Sequence, residues 1–325
     1  MSWHRPPPVV QAAGVVVVLI LALSVFFIAF ALPAVKSKPH QVPVGVVASP
    51  TIATELATSL ERSAPGGFTV TSYPDQTALR GAIRSRDVYG GFVFGGDGPT
   101  LLIATGGSPA VAQSLMAISA TMSQKAGAPA RVDDLAPLPP GDPRGVGLVA
   151  AALPLTLAGL LPAVVLILLF PGAVWLRLGA TVAFAAVAAV VIAALLRYVF
   201  GSIDSAFWAV TAGLFVGILA TALAMLGLGS LFGRIGLAIG AGVAILLGNP
   251  LSAMGGAPEL LPGGWGAFGQ LLPQGATATL LRSTAYFPAV DSSTALGAII
   301  VLACWAMAGL LATVVAGIRQ PDVRA

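Results

Sequence analysis

Two ionisable side chains, Glu259 and Arg282, stand inside a long apolar stretch that is rich in proline and glycine, residues 248–283. In such surroundings a carboxylate could transfer a proton, and a guanidinium could bind an anion. Proline and glycine recur too often there for a membrane-spanning helix, yet the stretch is too apolar for an ordinary soluble loop. Other elements of the protein must position this segment, and it is the first candidate for a functional site.

The other reactive side chains form no catalytic or metal-binding motif. His4 and His40 have no cysteine or carboxylate at metal-ligand spacing, and Cys304 is the single cysteine, which excludes an intrachain disulfide. No serine stands in a GxSxG or SxxK motif. The sequence therefore predicts no enzyme, no metal site and no cofactor.

Two charged clusters leave alternatives open. The adjacent carboxylates Asp133 and Asp134 could act as a pair, but a solvated loop is the favoured interpretation. Arg80 and Arg84 share a helix face and could bind an anion together with Arg86. A charged face that keeps a domain soluble is the favoured interpretation there.

The composition indicates an integral membrane protein. Of the 325 residues, 57% are hydrophobic and only 9% are charged, whereas a soluble domain carries about 25% charged residues. The net charge is +4, but the basic residues fall mostly at the ends of apolar runs, where they determine orientation. The lipid bilayer is the predicted environment, and nucleic acid is not a predicted partner.

Six apolar runs predict six membrane-spanning helices, since about 20 apolar residues cross the hydrocarbon core. The fifth is short and spans only if Gly233 and Arg234 begin it, with Arg234 reaching the interface. The first could be a cleaved signal peptide, but its apolar core is longer than usual, so a retained anchor is favoured. The predicted spans are residues 9–35, 146–170, 178–196, 207–226, 235–247 and 295–318.

The basic residues of the short connections predict that both termini lie in the cytoplasm, at the plasma membrane. In this orientation the inner connections are net basic and the outer ones are roughly neutral. Lys36 and Lys38 argue for the reverse, but they begin a long segment, whose charges count for less. The arginines placed inside are Arg5, Arg177, Arg234, Arg319 and Arg324.

Residues 36–144 hold most of the charges and have shorter apolar runs. They predict an α+β extracytoplasmic domain, between a first anchor at 1–35 and a five-helix membrane domain at 145–325. Residues 135–143, rich in proline, form the predicted stiff linker. Within the domain, strands are predicted at 43–48, 68–73, 89–94 and 100–105, and helices at 51–63, 76–86 and 110–125.

Residues 248–294 are predicted to begin and end on the outer side of the membrane. A re-entrant hairpin is the favoured structure, with a short helix at 258–261, a turn at 262–264 and a second helix at 271–284. A surface loop that lies on the protein is the alternative. The candidate residues of an outer gate in this hairpin are Pro258, Glu259, Pro262, Trp265, Pro273 and Arg282.

Four glycines around the fifth predicted span have small-xxx-small spacing: Gly229 with Gly233, and Gly236 with Gly240. Such pairs allow helices or subunits to approach closely. The alternative is that glycine is simply frequent in membrane helices.

The predicted spans also limit the possible energy source. They contain almost no ionisable residues, which argues against a proton-coupled transporter, and no phosphate-binding GxxxxGK[ST] motif is present. A transported substrate would therefore be driven by another polypeptide.

Two segments stand out in this arrangement of one span, a large outer domain and five further spans: NPLSAMGGAPELLPGGWGAFGQLLPQGATATLLR (249–282) and DVYGGFVFGGDGPTLLIATGGSPAVAQSL (87–115). Together with the arrangement, they resemble the YhgE/Pip (phage infection protein) branch of the ABC-type exporter permeases. It implies a homodimeric permease subunit that exports a hydrophobic or amphipathic substrate and is driven by a separate ATPase subunit. It also implies that the outer hairpin closes the exit, with Glu259 and Arg282 at the matching polar positions.

One departure from this family concerns the cytoplasmic connection PGAVWLR (171–177). Permeases of this class usually carry a longer coupling helix there, so Trp175 and Arg177 are the candidate contacts to an ATPase. The short connection favours an alternative function, a cell-surface scaffold or receptor that binds an envelope protein through residues 40–140.

Overall fold

The computed structural model describes residues 7–95, 98–126, 129–287 and 293–319. Within these ranges, five helices are long and apolar enough to cross a membrane: Pro8–Val35, Val146–Leu169, Val174–Val199, Phe207–Gly248 and Ser293–Arg319. The chain is therefore a membrane-embedded helical protein, as its composition predicts, and it also carries one small sheet.

The α-helices are numbered in chain order. They are α1 (Pro8–Val35), α2 (Pro50–Ser63), α3 (Gln76–Arg84), α4 (Pro109–Ala126), α5 (Val146–Ala150), α6 (Ala152–Leu169), α7 (Val174–Ala194), α8 (Phe207–Val243), α9 (Trp265–Gln270), α10 (Pro273–Tyr286) and α11 (Ser293–Arg319). Short turns of π-helix extend α7 to Val199 and α8 to Gly248.

Helix α8 reverses its direction at Gly233. This residue has φ 60° and ψ −139°, a combination that essentially only glycine adopts. A Cβ on Gly240 would lie 2.5 Å from Sδ of Met225, although a straight helix would separate these residues by about 22 Å. Residues 207–232 and 234–248 are therefore two antiparallel helices. The first continues beyond residue 226, where the sequence predicts its end, up to the reversal.

The close packing at this reversal predicts opposite effects for two alanine substitutions in the same helix. A Cβ on Gly236 would lie 2.1 Å from the backbone oxygen of Leu228, whereas a Cβ on Gly242 meets nothing within 4 Å. We expect Gly236→Ala to lower the free energy of unfolding by about 1–3 kcal/mol, because the two backbones must separate. Gly242→Ala should raise it by roughly 0.5–1 kcal/mol. Thermal unfolding in one detergent measures both, and an equal loss in the two variants would contradict the reversal.

Helix α10 lies in the interior of the helix bundle, and all its residues from Pro273 to Thr284 are buried. A Cβ on Gly217 of α8 would lie 2.4 Å from Oγ1 of Thr277, and one on Gly213 would lie 3.4 Å from Leu281. The two helices are thus antiparallel. Thr277, in the second turn of α10, therefore lies beside Gly217, which is about 15 Å from the start of α8.

The sheet has five strands in the order β2-β1-β3-β4-β5: β1 (Val42–Val47), β2 (Phe68–Ser72), β3 (Gly90–Val93), β4 (Thr100–Ile103) and β5 (Arg131–Asp134). The pair β3–β4 is the predicted hairpin, and the other neighbours are parallel. Helices α2, α3 and α4 cover this sheet, and its core is formed by buried aliphatic side chains such as Val44, Leu60, Leu79, Leu102 and Leu115. Residues 42–134 are called the α/β unit below.

Strand β5 corrects the interpretation of Asp133 and Asp134 as a solvated loop. Asp133 forms an ion pair with Arg80 of α3, and Asp134 accepts hydrogen bonds from the hydroxyl and the backbone N–H of Thr105. Protein groups therefore provide hydrogen bonds to both carboxylates, which the sequence alone predicts to be solvated. The two side chains point to opposite faces of the strand, so they do not act as a pair.

The α/β unit packs directly on residues 249–286, which we call the hairpin segment. Ala257 of this segment belongs to the same buried cluster as the β1 side chains. The backbone N–H groups of His40 and Lys38 donate to the carbonyl oxygens of Glu259 (2.8 Å) and Leu260 (3.0 Å). Apolar burial therefore holds the sheet against the hairpin segment, and backbone hydrogen bonds attach the residues just before β1 to the same segment.

Asp142, in the proline-rich linker, joins the start of α5 to the segment after α7. It accepts hydrogen bonds from the backbone N–H groups of Val146 and Gly147 (2.8 Å each) and from Oγ of Ser202 (2.7 Å). Burial raises the pKa of Asp142, but these hydrogen bonds, that from Ser202 first, bring it below its ordinary value of 3.8. The carboxylate is therefore the form that holds α5 and the segment after α7 together.

This lowered pKa predicts a loss of stability in acid. A carboxylate with a depressed pKa contributes stability that is present above the unfolded-state value and disappears as the pH falls through the folded-state value. We expect Asp142→Asn to cost about 1 kcal/mol at neutral pH, because one acceptor becomes a donor. The variant should also lose less stability than the wild type when the pH falls below about 4. Melting curves between pH 3 and 7 test this, with exposed Asp204→Asn as the control; identical acid profiles for both variants would contradict it.

Candidate functional site

A cleft of about 1030 Å³ opens between the α/β unit, the hairpin segment and α11. The β1 and β3 ends of the sheet supply one wall, the turn and α9 of the hairpin segment supply the second, and the first turns of α11 supply the third. Its lining divides into a polar part with His40, Arg86, Tyr89, Glu259 and Gln270 and an apolar part with Leu261, Ala267, Leu271, Ala298 and Val301. This division fits a ligand with one polar and one apolar end.

Tyr89 and Glu259 join the sheet to the hairpin segment across the cleft. The hydroxyl of Tyr89 donates to Oε2 of Glu259 at 2.8 Å. Burial, followed by the negative charge of Glu259, raises the pKa of Tyr89 far above its ordinary value. The phenol therefore stays protonated and remains a donor throughout the physiological pH range.

Arg86 fastens the same corner of the α/β unit to α10. Its guanidinium donates to the backbone oxygen of Thr279 (2.9 Å) and to Oγ of Ser283, and lies 5.5 Å from the ring centre of Phe287. Burial lowers its pKa to about 10, with Tyr89 and Glu259 opposing this shift, so it is still charged at neutral pH. The residue has φ +63°, a left-handed conformation that an arginine adopts only at a cost.

Two polar atoms in the cleft wall are buried and have no hydrogen-bond partner among the described residues. They are Nδ1 of His40 and Nε2 of Gln270. The oxygen of the Gln270 amide accepts from Thr279 (2.6 Å), which leaves the amide nitrogen as a free donor. Buried polar groups are normally paired, so these two atoms are unsatisfied, and both are enclosed behind the cleft lining and not open to it.

Arg282 does not face Glu259, although the sequence marks both as polar positions of one gate. Its guanidinium donates to the backbone oxygens of Gly256 (2.6 Å) and Met254 (2.8 Å). It thereby holds the first part of the hairpin segment against α10. Within the described ranges, it forms no ion pair.

The remaining predicted gate residues shape the hairpin segment. Pro258 begins a short 3₁₀ turn and lines the cleft, and Pro262 lies in the turn before α9. Trp265 begins α9 and Pro273 begins α10.

The predicted packing glycines all lie at the α8 reversal. Gly233 forms the turn itself, while Gly229, Gly236 and Gly240 contact side chains or backbone of the opposing helices.

The two predicted contacts to an ATPase differ in exposure. Trp175 is 77% exposed, whereas Arg177 lies on the packed face of α7 and is only 3% exposed.

Tyr89, His40 and Gln270 are cleft residues that sequence reasoning does not single out. Tyr89 lies in a predicted strand and its partner is 170 positions away, so no local spacing signals the contact. Arg86 does appear in the predicted arginine patch, but the structure separates it from Arg80, which binds Asp133.

No family model, curated protein or solved structure matches this chain. In the part of the chain that the structure describes, no cluster of histidine, cysteine and carboxylate side chains could hold a metal ion. The geometry of the cleft is therefore the basis for a functional interpretation.

Proposed function

We propose that the chain is the membrane permease subunit of an ABC-type exporter that moves a hydrophobic or amphipathic substrate. The observation that carries this proposal is the cleft, which places the polar side chains of Arg86, Tyr89 and Glu259 opposite the apolar side chains of α9 and α11. A substrate with a polar head and an apolar tail matches both walls. In this proposal the cleft is the outer exit site, and the hairpin segment is its gate.

The proposed membrane arrangement has six spans, with both termini in the cytoplasm of a plasma-membrane protein. Residues 207–232 and 234–248 count as two spans, the second short at roughly 22 Å. The α/β unit is then extracytoplasmic. The hairpin segment is re-entrant in this arrangement, because α10 packs beside Gly217, about 15 Å along the first half of α8, which is roughly 39 Å long.

A separate ATPase subunit supplies the energy, and a second copy of the chain completes the pathway. The described carboxylates all lie in the α/β unit, the linker, the loop before α8 and the hairpin segment, so none can carry a proton through the spans. In the proposed homodimer, the second copy covers part of helix α1, whose apolar side chains are exposed along almost its whole length, and lipid covers the rest.

A second candidate function, a surface scaffold or receptor, is favoured by the connections at the proposed cytoplasmic end. Only residues 170–173 join α6 to α7, and Gly233 alone joins the two halves of α8. Neither connection projects from the bundle to receive an ATPase. In this alternative the exposed face of the α/β unit binds an envelope protein, through residues 40–140.

Filling the cleft tests the permease proposal. Gly297 lies in the cleft wall, and a Cβ there meets nothing within 4 Å; the same space surrounds Gly242, which lies outside the cleft. Gly297→Leu should abolish most efflux of amphipathic dyes from cells that produce the protein, while Gly242→Leu should leave it unchanged. Equal efflux by both variants at equal membrane levels would argue against the cleft as the exit site.

A further inference from the structure

Arg177 is a buried cation without a protein partner. It is 3% exposed, its Nε is buried without a hydrogen bond, and its side chain forms no hydrogen bond or ion pair with the described residues. Arg282 is also buried but donates to two carbonyl oxygens. Of the three guanidinium nitrogens of Arg177, only Nε is completely enclosed and unpaired, so the end of this guanidinium is the part that an anion at the bundle surface can reach.

The surroundings of Arg177 form a basic end of the bundle. It lies in the first turns of α7, where the helix dipole is positive. A Cβ on Gly317 would lie 2.8 Å from Val174, which brings the end of α11 with exposed Arg319 beside this turn. Arg234, also exposed, follows the α8 reversal at the same end. All the carboxylates that the structure describes lie toward the opposite end of the molecule.

We propose that Arg177 binds the phosphate group of an anionic phospholipid at this end of the bundle. A guanidinium at a helix N-terminus offers paired donors and a favourable dipole to a phosphate, and basic pockets between membrane helices bind anionic headgroups. The adjacent Trp175 and Leu176 are exposed, and tryptophan is a residue type that is enriched where acyl chains and headgroups meet. This site lies at the other end of the bundle from the cleft and does not depend on the proposed transport.

The thermal unfolding of the full-length protein in detergent tests this site with three probes: phosphatidylglycerol, phosphatidylcholine and inorganic phosphate. We expect phosphatidylglycerol to raise the melting temperature of the wild type by several degrees. Arg177→Gln should lose this shift, and Arg234→Gln should keep most of it. The same shift with inorganic phosphate at equal concentration would overturn the lipid assignment, and an equal response of Arg177→Gln and the wild type would overturn the site.

Native mass spectrometry keeps the test decisive if Arg177→Gln fails to fold. Arg177→Lys keeps the charge but lacks the paired donors, and we expect it to retain fewer bound phosphatidylglycerol molecules than the wild type. Asp322, which lies outside the described residues, is the alternative partner of Arg177 that the test must separate from lipid, because it is a carboxylate of the chain itself. If Asp322→Asn destabilises the protein as much as Arg177→Gln and lipid has no effect on either, the partner is this carboxylate and the proposal is wrong.

Discussion

Arg86→Ala should lower the free energy of unfolding by about 3 kcal/mol, because it removes two charge-assisted hydrogen bonds to α10. It also removes the contact of the guanidinium with the ring of Phe287. Exposed Arg84, at the end of α3, provides the matched control, and Arg84→Ala should change stability by less than about 0.5 kcal/mol. Chemical denaturation in one detergent measures both variants.

Arg86→Gly separates the lost contacts from the backbone conformation. Since Arg86 has φ +63°, glycine relieves a cost of roughly 1 kcal/mol that alanine retains. We expect Arg86→Gly to be less destabilised than Arg86→Ala by about this amount. Hydrogen exchange in α10 should rise in both variants, since the α/β unit no longer covers the helix. Stability of Arg86→Ala equal to that of Arg84→Ala would show that Arg86 does not couple the two parts.

The second large effect is expected for Arg282→Met, at about 3 kcal/mol. The guanidinium donates to the carbonyl oxygens of Gly256 and Met254, and methionine fills a similar volume but leaves both oxygens buried and unpaired. Hydrogen exchange should increase at residues 253–257, where the hairpin segment loses its attachment to α10. Arg282→Lys should recover part of the stability, because a single ammonium reaches one carbonyl more readily than both.

Exposed Arg234 is the control for this substitution, since it occupies the turn after the α8 reversal without a hydrogen bond among the described residues. Arg234→Met should leave the melting temperature within about one degree of the wild type. If Arg282→Met has the same melting temperature as Arg234→Met, the stability of the hairpin segment does not depend on the two hydrogen bonds of Arg282.

The helices and most strands could be predicted from the sequence because their signals are local. Continuous apolar runs give the membrane helices, and β1 lies at Val42–Val47, one residue earlier than predicted. The hairpin segment also has local signals. Pro258 and Pro273 each begin a helical turn near the predicted positions, since proline is well suited to the first helical position.

The contacts that build the cleft could not be predicted, because their partners are far apart along the chain. Tyr89 and Glu259 are 170 positions apart, and Arg86 and Ser283 are 197 apart. The sequence does not predict strand β5, because Asp133 and Asp134 break the alternation of apolar and polar residues. Their partners Arg80 and Thr105 come from α3 and from the segment after β4.

The prediction for Arg177 depended on its place near a short loop. The structure puts it on the face of α7 that carries Val174, Leu178 and Thr181, all of which are buried. A 3.6-residue period assigns these four positions to one side of a helix. Of the two residues proposed to contact an ATPase, Trp175 is therefore the one with an accessible surface.

Affinity purification of the detergent-solubilised protein, with mass spectrometry of the chains that co-purify, tests the permease proposal most directly. The account predicts a stoichiometric ATPase subunit whose recovery falls when Trp175 is replaced by alanine. Recovery of the protein alone, or with an envelope protein bound through residues 40–140, would contradict an ATP-driven exporter; the second result would support the scaffold.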